Sequence, residues 1–169
     1  MAILKYYGYR AAALLTPLLP RRLGYLLADA SGVLVYFLAP KARAGATINA
    51  RHVLGKAATK KQVRRTVRRM FVNSTKNYLE LFRLPSLDIT QIDDVVHVVH
   101  YEHVARVLQE GRGIVLVTAH CGNFDIVAQV LAARGVGLTV PVEPLDPPEL
   151  FAFIRDLRAS KGLSFLPVG

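Results

Sequence analysis

The chain has 169 residues, just over half of them apolar, which excludes a disordered chain and suits one ordinary domain with a real core. Its net charge of +10 is unevenly held: residues 1–70 carry fourteen Lys/Arg against one acid, Asp29, a net +13, while residues 71–169 carry eight against eleven, a net −3. A single cysteine, Cys121, excludes an internal disulfide framework and a Cys-rich zinc site. The basic segment suits an anionic partner: a membrane surface, a nucleic acid or an acidic carrier.

The first stretch, "MAILKYYGYRAAALLTPLLPRRLGYLLADASGVLVYFLAPKAR", is strongly apolar but does not read as a cleavable signal. Pro17, Pro20 and Arg21–Arg22 split it. Its longest uninterrupted part, Leu23 to Ala39, contains Asp29 and is shorter than the roughly 20 residues that span a bilayer. It is expected to form two helices lying in or on a membrane, or else a buried helical hairpin. Pro20 opens the second helix and Pro40 stands where it should stop. "KARAGATINARHVLG" predicts a short helix with Gly55 as its C-cap. Thr59 is the expected N-cap of a long helix reaching about Arg83. Val63, Val67, Met70, Phe71, Ser74, Tyr78 and Leu81 recur along it at three- and four-residue spacing. Lys61, Arg64, Arg65, Arg68 and Arg69 cluster on its other side.

From about Asp93 the period changes. "VVHVVH" (Val95 to His100) predicts a strand, "YEHVARVLQEG" a short amphipathic helix stopped by Gly111. "GIVLVT" (Gly113 to Thr118) predicts a central strand covered on both faces. A helix from Phe124 to Ala133, a strand in "VGLTVPV", a helix in "DPPELFAFIRDLRASKG" and a strand in "LSFLPV" follow. This alternation predicts an α/β layered sheet, at least partly parallel. The expected division is a helical, membrane-associated region over 1–88 and an α/β region over 89–169.

"TAHCGNFDI" (Thr118 to Ile126) places a histidine, a thiol, a glycine, an amide and a carboxylate at the carboxyl end of the expected central strand. In open α/β sheets ligands bind there. If a helix starts at Asn123, the Asp125 carboxylate can approach the His120 ring. It would fix one imidazole nitrogen and leave the other as a general base. Gly122 lets backbone approach closely, and Asn123 is a natural N-cap beside amides open to an oxyanion. The simplest chemistry is a His–Asp dyad that deprotonates a substrate hydroxyl, whose oxygen then attacks an activated carbonyl. Asp125 as no more than a first-turn acid is the competing reading. Cys121 is expected to be a small packed residue. Glu143, at a strand end, is a candidate pocket residue. Arg155 and Arg158 are candidates for a phosphate or carrier group, or for surface roles. His97 and His100 should point to opposite faces of their strand, so with His103 they form no metal set.

The H-x-x-x-x-D motif "HCGNFD", preceded by "GIVLVTAH", resembles the lysophospholipid acyltransferase superfamily. It is most similar to the branch of bacterial lipid A biosynthesis and phosphatidylinositol mannoside acyltransferases. "INARHVLG", "MFVNSTKNYLELFRLP", "VHYEHVARVLQEGRGIVLVTAHCGNFD" and "VEPLDPPELFAFIRDLRASKGLSFLPV" follow that branch in order, so the resemblance covers the chain from about Arg10. It implies a glycerol-phosphate-acyltransferase-like fold with His120 as catalytic base and Asp125 as its partner. The donor would be an acyl thioester on acyl carrier protein or coenzyme A, the acceptor a hydroxyl of a membrane glycolipid, lipid A precursor or lysolipid. No cofactor is implied. The basic N-terminal region would sit on the anionic cytoplasmic face of the membrane, peripherally or monotopically. Members of the branch run on past the equivalent of Gly169, so the chain is expected to be an N-terminal portion, and a non-catalytic lipid-binding fragment is the second reading. A nucleic-acid binder is the third, suggested by a pI near 10.1. It lacks a helix-turn-helix or RNA-binding signature, and here the basic part is also the most apolar.

Overall fold

In the computed structural model residues 2–88, 96–119 and 121–168 are described. The elements are α1 (Ala2–Leu15), α2 (Arg21–Leu38), α3 (Pro40–Leu54), α4 (Lys60–Arg83), α5 (Tyr101–Gln109), α6 (Phe124–Ala133), β1 (Thr139–Val142), α7 (Pro148–Ala159) and β2 (Ser164–Pro167). Single 3₁₀ turns, Thr16–Leu18 and Leu84–Ser86, follow α1 and α4. Prolines set several boundaries. Pro20 stands just before α2, Pro40 occupies the first turn of α3, and Pro148 opens α7, because a ring at a helix start loses no hydrogen bond there. Thr59 caps α4: its hydroxyl accepts from the Gln62 amide at 3.2 Å while the Gln62 side chain accepts from the Thr59 amide at 2.8 Å. Gly55 ends α3 at φ 78°, a left-handed angle that favours glycine.

α4 organises the fold. Its N-terminal half packs on α3 through Val63, Val67 and Ala50. Its C-terminal end joins α1 and α7 in the larger core, built on Leu81, Phe82, Leu84, Leu150 and Ile154. Because α4 meets different neighbours along its length, its buried face is not the single stripe expected. Met70 and Tyr78 are exposed, and Leu79 and Phe82 are buried instead.

α2 crosses α4 with Gly24, Ala28 and Gly32, one turn apart, as its buried residues. A Cβ on Gly32 would stand 2.6 Å from the Val72 Cα, so only glycine allows this approach. Thr75 donates to the Ala28 carbonyl at 2.7 Å, and Lys76 pairs with Asp29 at 2.7 Å. Arg83 donates to the carbonyls of Thr16 (2.9 Å) and Leu19 (2.7 Å), tying the turn before α2 to the end of α4. The small residues face inward, and Leu23, Leu26, Leu27, Leu34, Phe37 and Leu38 are left exposed. That inverts the usual pattern, in which a helix buries its large apolar side chains. Among the described residues no single helix is long and apolar enough to cross a membrane. α2 and α3 together pass by length and composition but meet at 97°.

β1, α7 and β2 form a strand–helix–strand unit. The strands pair in parallel, with Thr139 opposite Ser164 and Val142 opposite Pro167. The other two expected strands are corrected. Of the first, Val95 lies outside the described residues, and 96–100 is irregular and ends in a turn. Gly113–Thr118 has no strand pairing, and Val115 and Val117 are 90% and 93% exposed. An apolar run forms a central strand only with a ladder on each side, and the described residues supply one pair, β1 with β2.

Candidate active site

The loop before α6 is shaped by its own residues and held by α4. Gly122 takes φ 64°, the left-handed turn that lets the chain reverse into the helix. Asn123 caps α6, its side-chain oxygen accepting from the Ile126 amide at 3.2 Å. Its amide nitrogen donates to Glu80 of α4, whose other carboxylate oxygen accepts from the Tyr25 hydroxyl of α2. Asn77, one turn earlier on α4, donates to the Gly122 carbonyl at 3.0 Å. Burial first, and then the Glu80 carboxylate, raise the Tyr25 phenol above its usual range, so it remains a donor. A chain of hydrogen bonds thus runs from α2 through α4 to the loop.

Asp125 lies in the first turn of α6 and is buried. It accepts from Arg158 of α7, Nε to Oδ1 at 2.7 Å and Nη2 to Oδ2 at 3.4 Å, with the two side chains 11% and 25% exposed. The Arg158 guanidinium also lies 5.9 Å from the Phe124 ring centre. Gln129, fully buried one turn after Asp125, donates to the Arg158 carbonyl at 3.0 Å. α6 and α7 are therefore joined by a charged pair and a backbone contact. A carboxylate has about four acceptor positions, so this pairing leaves Asp125 able to accept from a further donor.

His120 lies outside the described residues. Of the other expected site residues, Gly122, Asn123, Asp125 and Arg158 come together around the start of α6. Glu143 follows the carboxyl end of β1 and is exposed. Arg155 does not join them and pairs with its neighbour Asp156 at 2.7 Å. Cys121 is exposed rather than packed. His97 and His100 do not sit across a strand, because 96–100 forms none. His100 occupies a left-handed turn (φ 61°) and His103 the first turn of α5, where both approach Glu102. Ligand atoms of these three exposed residues lie within 4.8 Å of one another, and among the described residues no fourth His, Cys or carboxylate joins them. The backbone amide of Glu102, and next His100, hold its carboxyl below the usual range. Asn77, Glu80 and Tyr25 were missed by the sequence reading. A signal existed: Asn73, Asn77 and Glu80 form a polar stripe along one side of α4, and Glu80 is that helix's one acid.

A family model described as bacterial lipid A biosynthesis acyltransferase matches residues 2–169. The chain is 29% identical over 102 residues to a phosphatidylinositol mannoside acyltransferase of Mycolicibacterium smegmatis, covering 60% of this chain and 34% of that protein. It is 33% identical over 93 residues to the protein of the same name from Mycobacterium tuberculosis, covering 53% of this chain and 29% of that one. The matched stretch thus spans about a third of these relatives' length.

Proposed function

The chain belongs to the bacterial lipid A biosynthesis acyltransferase family, and on that premise we propose that it serves a membrane-surface O-acyltransferase. The enzyme moves a fatty acyl group from a thioester, on acyl carrier protein or coenzyme A, to a hydroxyl of a glycolipid. His120 is the base. It takes the proton as the acceptor oxygen bonds to the thioester carbonyl carbon, and the tetrahedral intermediate then expels the thiolate. The imidazolium returns its proton to that sulfur, so the step closes without a cofactor. Asp125 holds the imidazole and stabilises its charged form, Arg158 orients the carboxylate through its two hydrogen bonds, and Glu143 lines the pocket from the end of β1.

The observation that carries this reading is the tie between the motif and α4. Asn77 and Glu80 bond to Gly122 and Asn123, which ties the residues flanking the proposed base to the helix that also packs on α2 and supports a site beside it. α2 turns its large apolar side chains outward, and the 1–70 segment is strongly basic. An acceptor anchored in an anionic membrane would meet the site there, on the cytoplasmic face, with the protein bound peripherally. The test supplies a radiolabelled acyl thioester and phosphatidylinositol mannoside or lipid A precursor in mixed micelles. Label entering the acceptor supports the reading. Label appearing only as free fatty acid, or remaining on the thioester, rejects it.

A further inference from the structure

Between Asp29 and Glu80 the chain has eleven Lys/Arg and no acid. α3 and α4 bring four of these cations to one groove of about 500 Å³: Arg43, Arg51, Lys60 and Arg64. None of the residues lining it is acidic, and among the described residues none of the four cations is in an ion pair. Arg43 is held in position, donating to the Tyr36 carbonyl at 3.0 Å with its guanidinium 5.2 Å from the Tyr36 ring centre. Lys60 opens α4, whose first turn carries no acid and whose amides present the positive end of the helix dipole. Gathering four like charges without a counter-charge opposes folding unless an anion offsets them. Ile48 lines the same groove and is 58% exposed; Val53, 87% exposed, extends the apolar surface of α3. Exposed Phe37 meets the Tyr36 ring edge to face beside it, with ring centres 5.2 Å apart.

We infer that the groove between α3 and α4 seats the phosphate of an anionic membrane lipid, with the flanking Ile48 and Phe37 side chains entering the acyl boundary. The combination of cations with exposed apolar side chains favours a lipid headgroup over a free phosphate, which needs no apolar rim. It also favours a lipid over a nucleic acid, whose backbone would present phosphates along a polar stripe. The inference deepens the membrane-surface reading above, and it fails separately from it.

The test is sedimentation with phosphatidylcholine vesicles containing phosphatidic acid. Two triple variants are compared. Arg51→Gln/Lys60→Gln/Arg64→Gln empties the groove, leaving Arg43 because it also holds a backbone carbonyl. Arg65→Gln/Arg68→Gln/Arg69→Gln removes the same charge from the separate groove between α2 and α4. General attraction to the surface weakens in both. A seat predicts a further loss of about tenfold or more in the first triple, the scale of a direct hydrogen bond to a charged group. Circular dichroism checks folding, and Arg64→Gln alone, against Arg68→Gln alone, serves if a triple unfolds. Equal losses in the paired variants overturn the seat and leave general membrane binding standing. Competition by inorganic phosphate at constant ionic strength that matches the vesicles would reassign the groove to a free anion. Retention on single-stranded DNA that depends on the same three residues, without vesicle binding, would reassign it to nucleic acid.

Discussion

Replacing Arg158 by methionine tests the pair on which the candidate site is built. The substitution keeps most of the stem and removes the guanidinium that bonds to Asp125 at 2.7 and 3.4 Å. An exposed ion pair contributes about 0.2–1 kcal/mol; truncating one partner of a fully buried pair costs about 3–5 kcal/mol. Here Asp125 is 11% exposed and Arg158 25%, so the cost falls between, at about 2 kcal/mol. In a chain of this size that lowers Tm by roughly 5 °C. Asp125→Asn should cost less, about 1 kcal/mol, because an amide oxygen still accepts from Arg158 and the guanidinium can reach water. The pair is coupled, so the double variant should cost at least about 1 kcal/mol less than the two single losses together. Urea unfolding followed by circular dichroism measures all three. Losses that add to within about 0.5 kcal/mol would refute the pair as an energetic unit. Turnover on the same proteins separates roles. If Asp125 holds His120, Asp125→Asn, which removes the charge that acts on the imidazole, lowers turnover far more than Arg158→Met, which retains the carboxylate and removes only one of its partners. An active Asp125→Asn protein would reduce Asp125 to a structural residue.

Other consequences follow from the packing and the titrating groups. Gly32→Ala drives a Cβ into the backbone of α4 and should destabilise by about 2–3 kcal/mol in thermal melts, whereas Gly45→Ala, on open helix surface, should stabilise by about 0.5–1 kcal/mol; equal effects would contradict the close α2–α4 approach. Tyr25 has its pKa raised above 10.0 on folding, so its contribution is intact below pH 10 and fades as pH rises through the folded value; stability should fall above about pH 10, and less steeply in Tyr25→Phe, and identical slopes would exclude the Tyr25–Glu80 contact as a source. Asn77→Ala frees the Gly122 carbonyl and should lower kcat with little change in KM and under about 1 kcal/mol of stability, since the lost bond is partly exposed; unchanged kcat would remove α4 from the positioning of the loop.

Much of the helical half was legible because its signals are local. Pro20, Pro40, Thr59 and Gly55 act on their own turns, and they set the ends of α2, α3 and α4. The same holds for Asn123 at the start of α6 and for the β1–α7–β2 unit, whose boundaries follow Gly and Pro. What depends on a remote partner was not legible. The apolar run at Gly113–Thr118 reports a preference for burial, not the presence of strands to either side. Asp125 and Arg158 are 33 positions apart, Asn77 and Gly122 are 45, and no local pattern links either pair. Gly24, Ala28 and Gly32 showed a four-residue spacing, but only the position of α4 gave it a meaning. His100 was misplaced because a valine-rich run suggested a strand, while a left-handed turn at the helix start decides where its ring lies.

The central claim is that His120 is the base of an acyl transfer. It is tested most directly by comparing His120→Ala with the unaltered protein, measuring transfer of label from the acyl thioester to the glycolipid. Loss of a general base lowers the rate about 10²- to 10⁴-fold, and the account predicts a loss at least that large with the melting temperature and circular dichroism spectrum retained. Near-normal transfer by a folded His120→Ala protein would contradict it.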